Sequence, residues 1–184
     1  MEHLWTGRGD DGTTGLYFGG RVAKDTEVPE ALGSVDEAQA AIGVARAGAA
    51  AGSPLHAVLT EVCRQLYVVM AELATAPANH PKLVDDRSRV TPAMVTAIEV
   101  HADAAADRFP PLTDFVVPGQ DPLAAVLDVA RTLVRRAERR AVPVAAPGSA
   151  VLPYLNRLSS LLWALARAEE AGGGGGGAVL VKEL

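Results

Sequence analysis

Cysteine occurs once in the 184 residues, at Cys63, so neither a disulfide framework nor a cysteine-based zinc site is available. Aromatics are scarce as well: three Phe, three Tyr and two Trp amount to 4% of a chain that is 49% hydrophobic. Its core must therefore be packed with Ala, Leu and Val. That suits close-packed helices, because Ala has the best helix propensity and permits close approach. Basic charge is not in excess, since 17 Lys+Arg against 22 Asp+Glu leave a formal charge of −5. Without basic residues interleaved with aromatics, no nucleic-acid partner is expected. Charge or proline interrupts every apolar stretch before the roughly 18 residues of a bilayer span, and residues 1–5 carry no leader-like basic or apolar region. The expectation is a cytoplasmic protein with no membrane partner. Also missing are Gly-x-Ser-x-Gly, Gly-x-Gly-x-x-Gly after a strand, His-Glu-x-x-His, and the Glu-x-x-His pairs of di-iron bundles. The four histidines, His3, His56, His80 and His101, show no ligand spacing and read as surface or packing residues. Cys63 reads as a small core hydrophobe.

What is present is helical. Ser34-Val-Asp-Glu37 reads as a capping box that opens a first helix running to about Ala49. Ser53-Pro54, Thr91-Pro92 and Asp121-Pro122 pair a capping side chain with a proline at the first helical position. They start helices expected to end near Thr75, near Arg108 and before Pro143, and apolar residues at 3/4 spacing support each. Ser149 is the expected cap of a fifth helix, with Leu152, Leu155, Leu158, Leu161, Leu162 and Leu165, stopping at Gly172. Residues 1–30 and 77–90 read as irregular, and no strand-period run occurs. Five helices imply an all-α five-helix bundle over residues 1–171. Residues 172–184 read as a glycine-rich linker and flexible tail.

Two segments carry candidate chemistry. Around Gly7, Gly9 and Gly12, backbone N–H groups can converge on an anion, with Thr13 and Thr14 adding hydroxyls. Arg8, Arg21 and Lys24 bring positive charge, and Asp10 and Asp11 can orient donors or meet hydrated Mg²⁺. The competing reading is a flexible polar terminus with ordinary turns. In the fourth helix, Arg131, Arg135 and Glu138 share one face, and Arg136 and Arg140 form a neighbouring ridge with Arg139 nearby. Five arginines within ten residues repel one another unless carboxylates or phosphates lie close, and arginine is the preferred bidentate phosphate partner. A solvated charged face is the alternative. A third, weaker cluster is Tyr154, Asn156, Arg157, Ser159 and Ser160 at the start of the fifth helix, where Tyr154 and Trp163 are expected to flank the Asn156 turn.

In order along the chain, these segments resemble the PduO-type ATP:cob(I)alamin adenosyltransferases. The resemblance rests on Gly9-Asp-Asp-Gly-Thr13-Thr14-Gly-Leu16, Gly20-Arg21-Val-Ala-Lys24-Asp25, Gly33-Ser-Val-Asp36-Glu37, Phe115-Val-Val-Pro118-Gly119, Ala130-Arg131-Thr-Leu-Val-Arg135-Arg136-Ala-Glu138-Arg139 and Tyr154-Leu-Asn156-Arg157-Leu-Ser159. It implies a homotrimer with active sites between subunits. Such an enzyme moves the 5′-deoxyadenosyl group of ATP to the cobalt of cob(I)alamin and releases triphosphate, with Mg²⁺ as cofactor. Thr6, Arg8, Gly9, Asp10, Gly12, Thr13, Thr14, Lys24, Arg135, Glu138, Arg140 and Asn156 match its nucleotide site, with Arg135, Glu138 and Asn156 in the catalytic role. Asp36 and Arg131 match a pair that bridges subunits, and Phe115 matches the aromatic that displaces the lower axial ligand of cobalamin. A corrinoid reductase and an adenosylcobalamin-dependent enzyme are the implied partners. The chain departs from the family pattern at Gly7, Cys63, Gln120, Asp128, Pro153 and Ser160. A divergent paralogue that binds nucleotide or corrinoid as a carrier or regulator, with little transfer, therefore stands as the alternative.

Overall fold

The computed structural model describes residues 5–173 and 177–183; residues 1–4 (His3 among them), residues 174–176 of the glycine run and Leu184 lie outside them. A short hairpin, β1 (Thr13–Gly15) and β2 (Arg21–Ala23), precedes five helices: α1 (Glu27–Gly48), α2 (Pro54–Leu73), α3 (Pro92–Ala106), α4 (Pro122–Ala141) and α5 (Val151–Gly172). Strand β3 (Val116–Val117) lies before α4 and strand β4 (Val179–Leu180) follows α5. No helix among the described residues is long and apolar enough to cross a membrane.

Local chemistry starts three helices where the sequence places them. Ser53 Oγ accepts from His56 N at 3.1 Å, Thr91 Oγ1 from Met94 N at 3.4 Å, and Asp121 Oδ1 from Leu123 N and Ala124 N at 2.8 and 2.9 Å. Each is followed by proline, whose missing N–H would have had no intrahelical partner there.

The first helix corrects the capping-box reading. It begins seven residues earlier than Ser34, at Glu27, and Ser34 is a buried interior residue whose hydroxyl donates to Glu30 O at 2.9 Å. Pro29 is tolerated in this earlier first turn, and Glu27 and Glu30 suit the positive end of the helix dipole. At the fifth helix, Ser149 Oγ does accept from Val151 N at 3.1 Å, although the cap position itself is Ala150.

α1 packs on α2 and α4, α4 on α5, and α5 on α3. Fully buried Ala31, Ala38 and Ala45 on α1, with Ala124, Ala130, Ala137 and Ala141 on α4, keep that pair of helices close. Leu59, Leu66, Leu127, Leu155, Leu158, Leu161 and Leu162 fill the rest. Tyr154, expected at a site edge, lies instead in this core with no exposed surface, its hydroxyl donating to Gln65 Oε1 at 2.8 Å. Burial drives its pKa up.

At one end of the bundle α1 and α5 begin and α2 and α4 end. Arg140 meets Glu30 there, Ser149 Oγ donates to Glu72, and Tyr17 N donates to Ala74 O, pinning the hairpin to α2. Gly19 and Gly20, at φ +99° and +94°, allow the hairpin to turn. At the other end, the tail expected as a flexible extension carries β4, which pairs antiparallel with β3 through Val116–Leu180 and Val117–Val179. Val179 and Leu180, beyond the glycines, give the two-residue strand before α4 its partner.

Candidate functional site

The arginine run of α4 divides into two sets by the 100° turn per residue. Arg136 and Arg140 point to α1, where they form ion pairs with Glu37 and, at 3.2 Å, Glu30. These two glutamates lie seven residues apart on one face of α1, in antiparallel register with the two arginines. Arg139 donates to Arg135 O at 3.0 Å. Arg131 Nε donates to Asp128 Oδ1 at 3.1 Å. The guanidinium of Arg135 has no partner among the described residues. On the same face, Glu138 Oε1 accepts from Asn156 Nδ2 at 3.0 Å, tying α4 to α5, and Asn156 Oδ1 accepts from Arg157 at 2.7 Å. Arg135, Glu138 and Asn156 thus form a patch in which two members are fixed and one cation is free.

The N-terminal loop is held by its own side chains. Asp11 Oδ1 accepts from the Thr13 hydroxyl and the Thr13 N–H at 2.7 and 2.9 Å, and these bonds, with Arg21, hold its carboxyl below its ordinary range. Arg21 also donates to Thr13 Oγ1 and to Arg8 O. Lys24 Nζ donates to Gly9 O at 2.8 Å, and a Cβ on Gly9 would come within 3.0 Å of that nitrogen. Asp10 N and Gly12 N bond Gly7 O and Gly9 O. Several of the amides expected to converge on an anion are therefore used inside the loop. Among the described residues, the donors left over include the Arg8 guanidinium, the Thr14 hydroxyl and the Gly9 and Asp11 N–H groups. Thr6 accepts from Arg8 N at 3.4 Å.

Asp36 and Arg131 do not meet within the chain. Asp36 opens on an exposed hollow with Tyr17, Leu32, Tyr67 and Met70 between α1 and α2, whereas Arg131 belongs to α4. Phe115 is 84% exposed, with its carbonyl accepting from Val181 N at 2.9 Å.

Arg21, expected to bring positive charge to an anion, instead organises the loop from a strand eight residues beyond Thr13. One feature escaped the sequence, a buried cluster of Asp128, Arg167 and Glu170, 7%, 3% and 2% exposed. Its signal was present: Asp128 interrupts the apolar stripe of α4, and Arg167 interrupts the apolar run of α5. No group of three or more His, Cys, Asp or Glu able to hold a metal occurs among the described residues.

Comparison with known proteins agrees with the sequence pattern. The family model for cobalamin adenosyltransferase matches residues 4–169. A corrinoid adenosyltransferase of Mycobacterium tuberculosis is 41% identical over 172 residues, covering 91% of this chain and 88% of that one. The corrinoid adenosyltransferase PduO of Citrobacter freundii is 40% identical over 174 residues, which span 91% of this chain and 50% of the relative. Among solved structures, a variant PduO-type ATP:corrinoid adenosyltransferase from Lactobacillus reuteri, complexed with cobalamin and ATP, superposes with a TM-score of 0.79 at 28% identity, covering 90% of each chain.

Proposed function

The chain belongs to the cobalamin adenosyltransferase family, and from that premise we infer that it is a corrinoid adenosyltransferase acting on ATP. The 5′-deoxyadenosyl group of ATP passes to cob(I)alamin: a cobalt–carbon bond forms, the C5′–O bond breaks, and its electron pair leaves with triphosphate. Reduced cobalt is itself the nucleophile, so the protein has to align C5′ with it and offset the charge of the leaving triphosphate. The bundle of residues 1–171, with the loop of its first 30 residues, is the unit that does so.

The free guanidinium of Arg135 is the observation that carries the site assignment. Its four neighbours in the run are each engaged, with Glu30, Glu37, Asp128 or a backbone carbonyl. Among the described residues Arg135 is the one arginine of this run whose guanidinium has no contact at all, and it lies beside a Glu138–Asn156 pair that fixes the orientation of both. In this assignment Arg135, Glu138 and Asn156 are the catalytic residues. Thr6, Arg8, Gly9, Asp10, Gly12, Thr13, Thr14, Lys24 and Arg140 complete the nucleotide site, Lys24 by bracing the loop through Gly9 O. Phe115, held out of the core, forms the wall against the corrin. Asp36 and Arg131 join one copy to the next in a homotrimer. Mg²⁺ would be carried by the triphosphate and water, with the Asp10 carboxylate as an outer contact. Bound there, the ion would offset charge on the leaving group. The free thiol of Cys63 suits a reducing cytoplasm, where a corrinoid reductase supplies one substrate and an adenosylcobalamin-dependent enzyme takes the product.

The test is anaerobic: chemically reduced cobalamin, ATP and Mg²⁺, with the light-sensitive cobalt–carbon bond followed by absorbance. Wild-type protein is expected to form product, and Arg135→Ala to lose about 100-fold in rate, the scale of one lost charge-stabilising donor. Nucleotide and corrinoid binding without product would overturn the enzyme in favour of a carrier. An unchanged rate in Arg135→Ala would overturn the site.

A further inference from the structure

Asp128 sits in the apolar stripe of α4, where a carboxylate carries a large desolvation cost unless paired. Its Oδ2 accepts from Arg167 of α5 at 2.6 Å, and its Oδ1 accepts from Arg131 Nε at 3.1 Å. Arg167 turns its guanidinium to Glu170 as well, donating to Oε1 at 3.0 Å, and its charge lies 5.9 Å from the Trp163 ring centroid. Two carboxylates and two guanidiniums balance in charge. Three of the four are buried; the Arg131 side chain, 30% exposed, alone reaches the surface.

A buried ion cluster contributes little net stability over apolar packing, so its role is sought in geometry. Asp128 grips Arg131 at Nε, the nitrogen nearest the backbone. Both terminal nitrogens are left without a partner among the described residues. An exposed arginine loses much rotamer freedom on binding, and a fork already fixed loses less. We propose that Asp128, held in turn by Arg167, is a positioning residue for Arg131, aiming its terminal nitrogens outward at a carboxylate on a second copy of the chain. This rests on the proposed contact between Asp36 of one copy and Arg131 of the next.

Full-length wild type, Asp128→Asn, Arg131→Ala and the double variant are compared by sedimentation velocity across a dilution series, with circular dichroism to confirm folding. Asp128→Asn is expected to weaken assembly about tenfold, the scale of a misaligned charged contact, and to add nothing once Arg131→Ala is present. Should Asp128→Asn fail to fold, Arg167→Lys keeps the charge facing Asp128 while losing the fork, and the same non-additivity with Arg131→Ala is expected. Assembly of Asp128→Asn at wild-type strength, or a loss that adds in full to that of Arg131→Ala, overturns the proposal and leaves the cluster a packing feature. If Arg131→Ala and Asp36→Ala each assemble as wild type, the contact between copies is itself wrong, an outcome visible without any Asp128 variant.

Discussion

Cys63 shows how position alone sets the chemistry of a side chain. It packs against the core from α2, its carbonyl accepts from Gln39 Nε2 at 2.8 Å, and burial pushes its thiol above the ordinary value of 9.0 despite the opposing charge of Arg46. Because the thiolate is the reactive form, alkylation by iodoacetamide at pH 8 is expected to run several-fold slower in the native protein than in urea. The native rate should level off at a higher pH than the rate of the unfolded chain. The sign for stability follows. A pKa raised in the fold contributes stability that is complete below the unfolded value of 9.0 and is lost as pH rises through the folded value. Mass spectrometry of timed alkylation checks the rate, and equal rates in the two states would remove the claim that the thiol is shielded. Glu72 illustrates the same dependence on surroundings. From sequence it is one more helix residue, yet its buried carboxylate accepts from Val90 N at 2.6 Å and Ser149 Oγ at 2.5 Å, joining α2 to two loops.

At the scale of the element, cap chemistry separates what could be read from what could not. Ser53, Thr91 and Asp121 each precede a proline, and the pair is a local signal that tertiary packing has no reason to override. Ser34-x-x-Glu37 has the pattern of a capping box as well, but Glu37 is drawn to Arg136 on α4 and Ser34 lies against the core. The true start at Thr26 has no side-chain cap bond to the helix, so only Pro29 and the acidic Glu27 and Glu30 mark it locally. Thr91→Ala should therefore cost about 1 kcal/mol of unfolding free energy, whereas Ser34→Ala should fall within about 0.5 kcal/mol of wild type, because alanine is the better interior helix residue. Urea denaturation of the two variants decides it; the reverse order would reinstate the capping box. The strands were illegible for a different reason. Two- and three-residue strands are too short to show a period, and β3 and β4, ending at Val117 and starting at Val179, are paired by packing that no local window contains. At the site, likewise, residue type and spacing exposed Arg135, Glu138 and Arg21, while the partners Glu30, Glu37 and Arg167 lie on other elements.

For the whole molecule, the arrangement of faces constrains how copies can meet. Glu30 and Glu37 mark the side of α1 that touches α4. Asp36 lies about 100° around the helix from Glu37, on the side shared with α2, in the hollow that also holds Tyr17 of the hairpin. Arg131 and Arg135 lie on the side of α4 turned away from Arg136 and hence from α1. A contact between Asp36 and Arg131 therefore joins two different surfaces. Made head to tail, such a contact closes into a ring when its rotation allows, as a trimer requires. It also brings the hairpin side of one copy towards the Arg135 side of the next, so each site would draw the loop from one subunit and the arginine from another. Complementation tests this directly. Lys24→Ala removes the brace of the loop and Arg135→Ala removes the free cation, and each variant alone is expected to be nearly inactive. Dissociated, mixed in equal amounts and reassembled, the two should regain about a quarter of the wild-type rate, because one contact in four then pairs an intact loop with an intact Arg135. Activity that stays at the level of the single variants, in rings shown by mass to be mixed, would place loop and arginine in the same subunit's site and remove the ring argument.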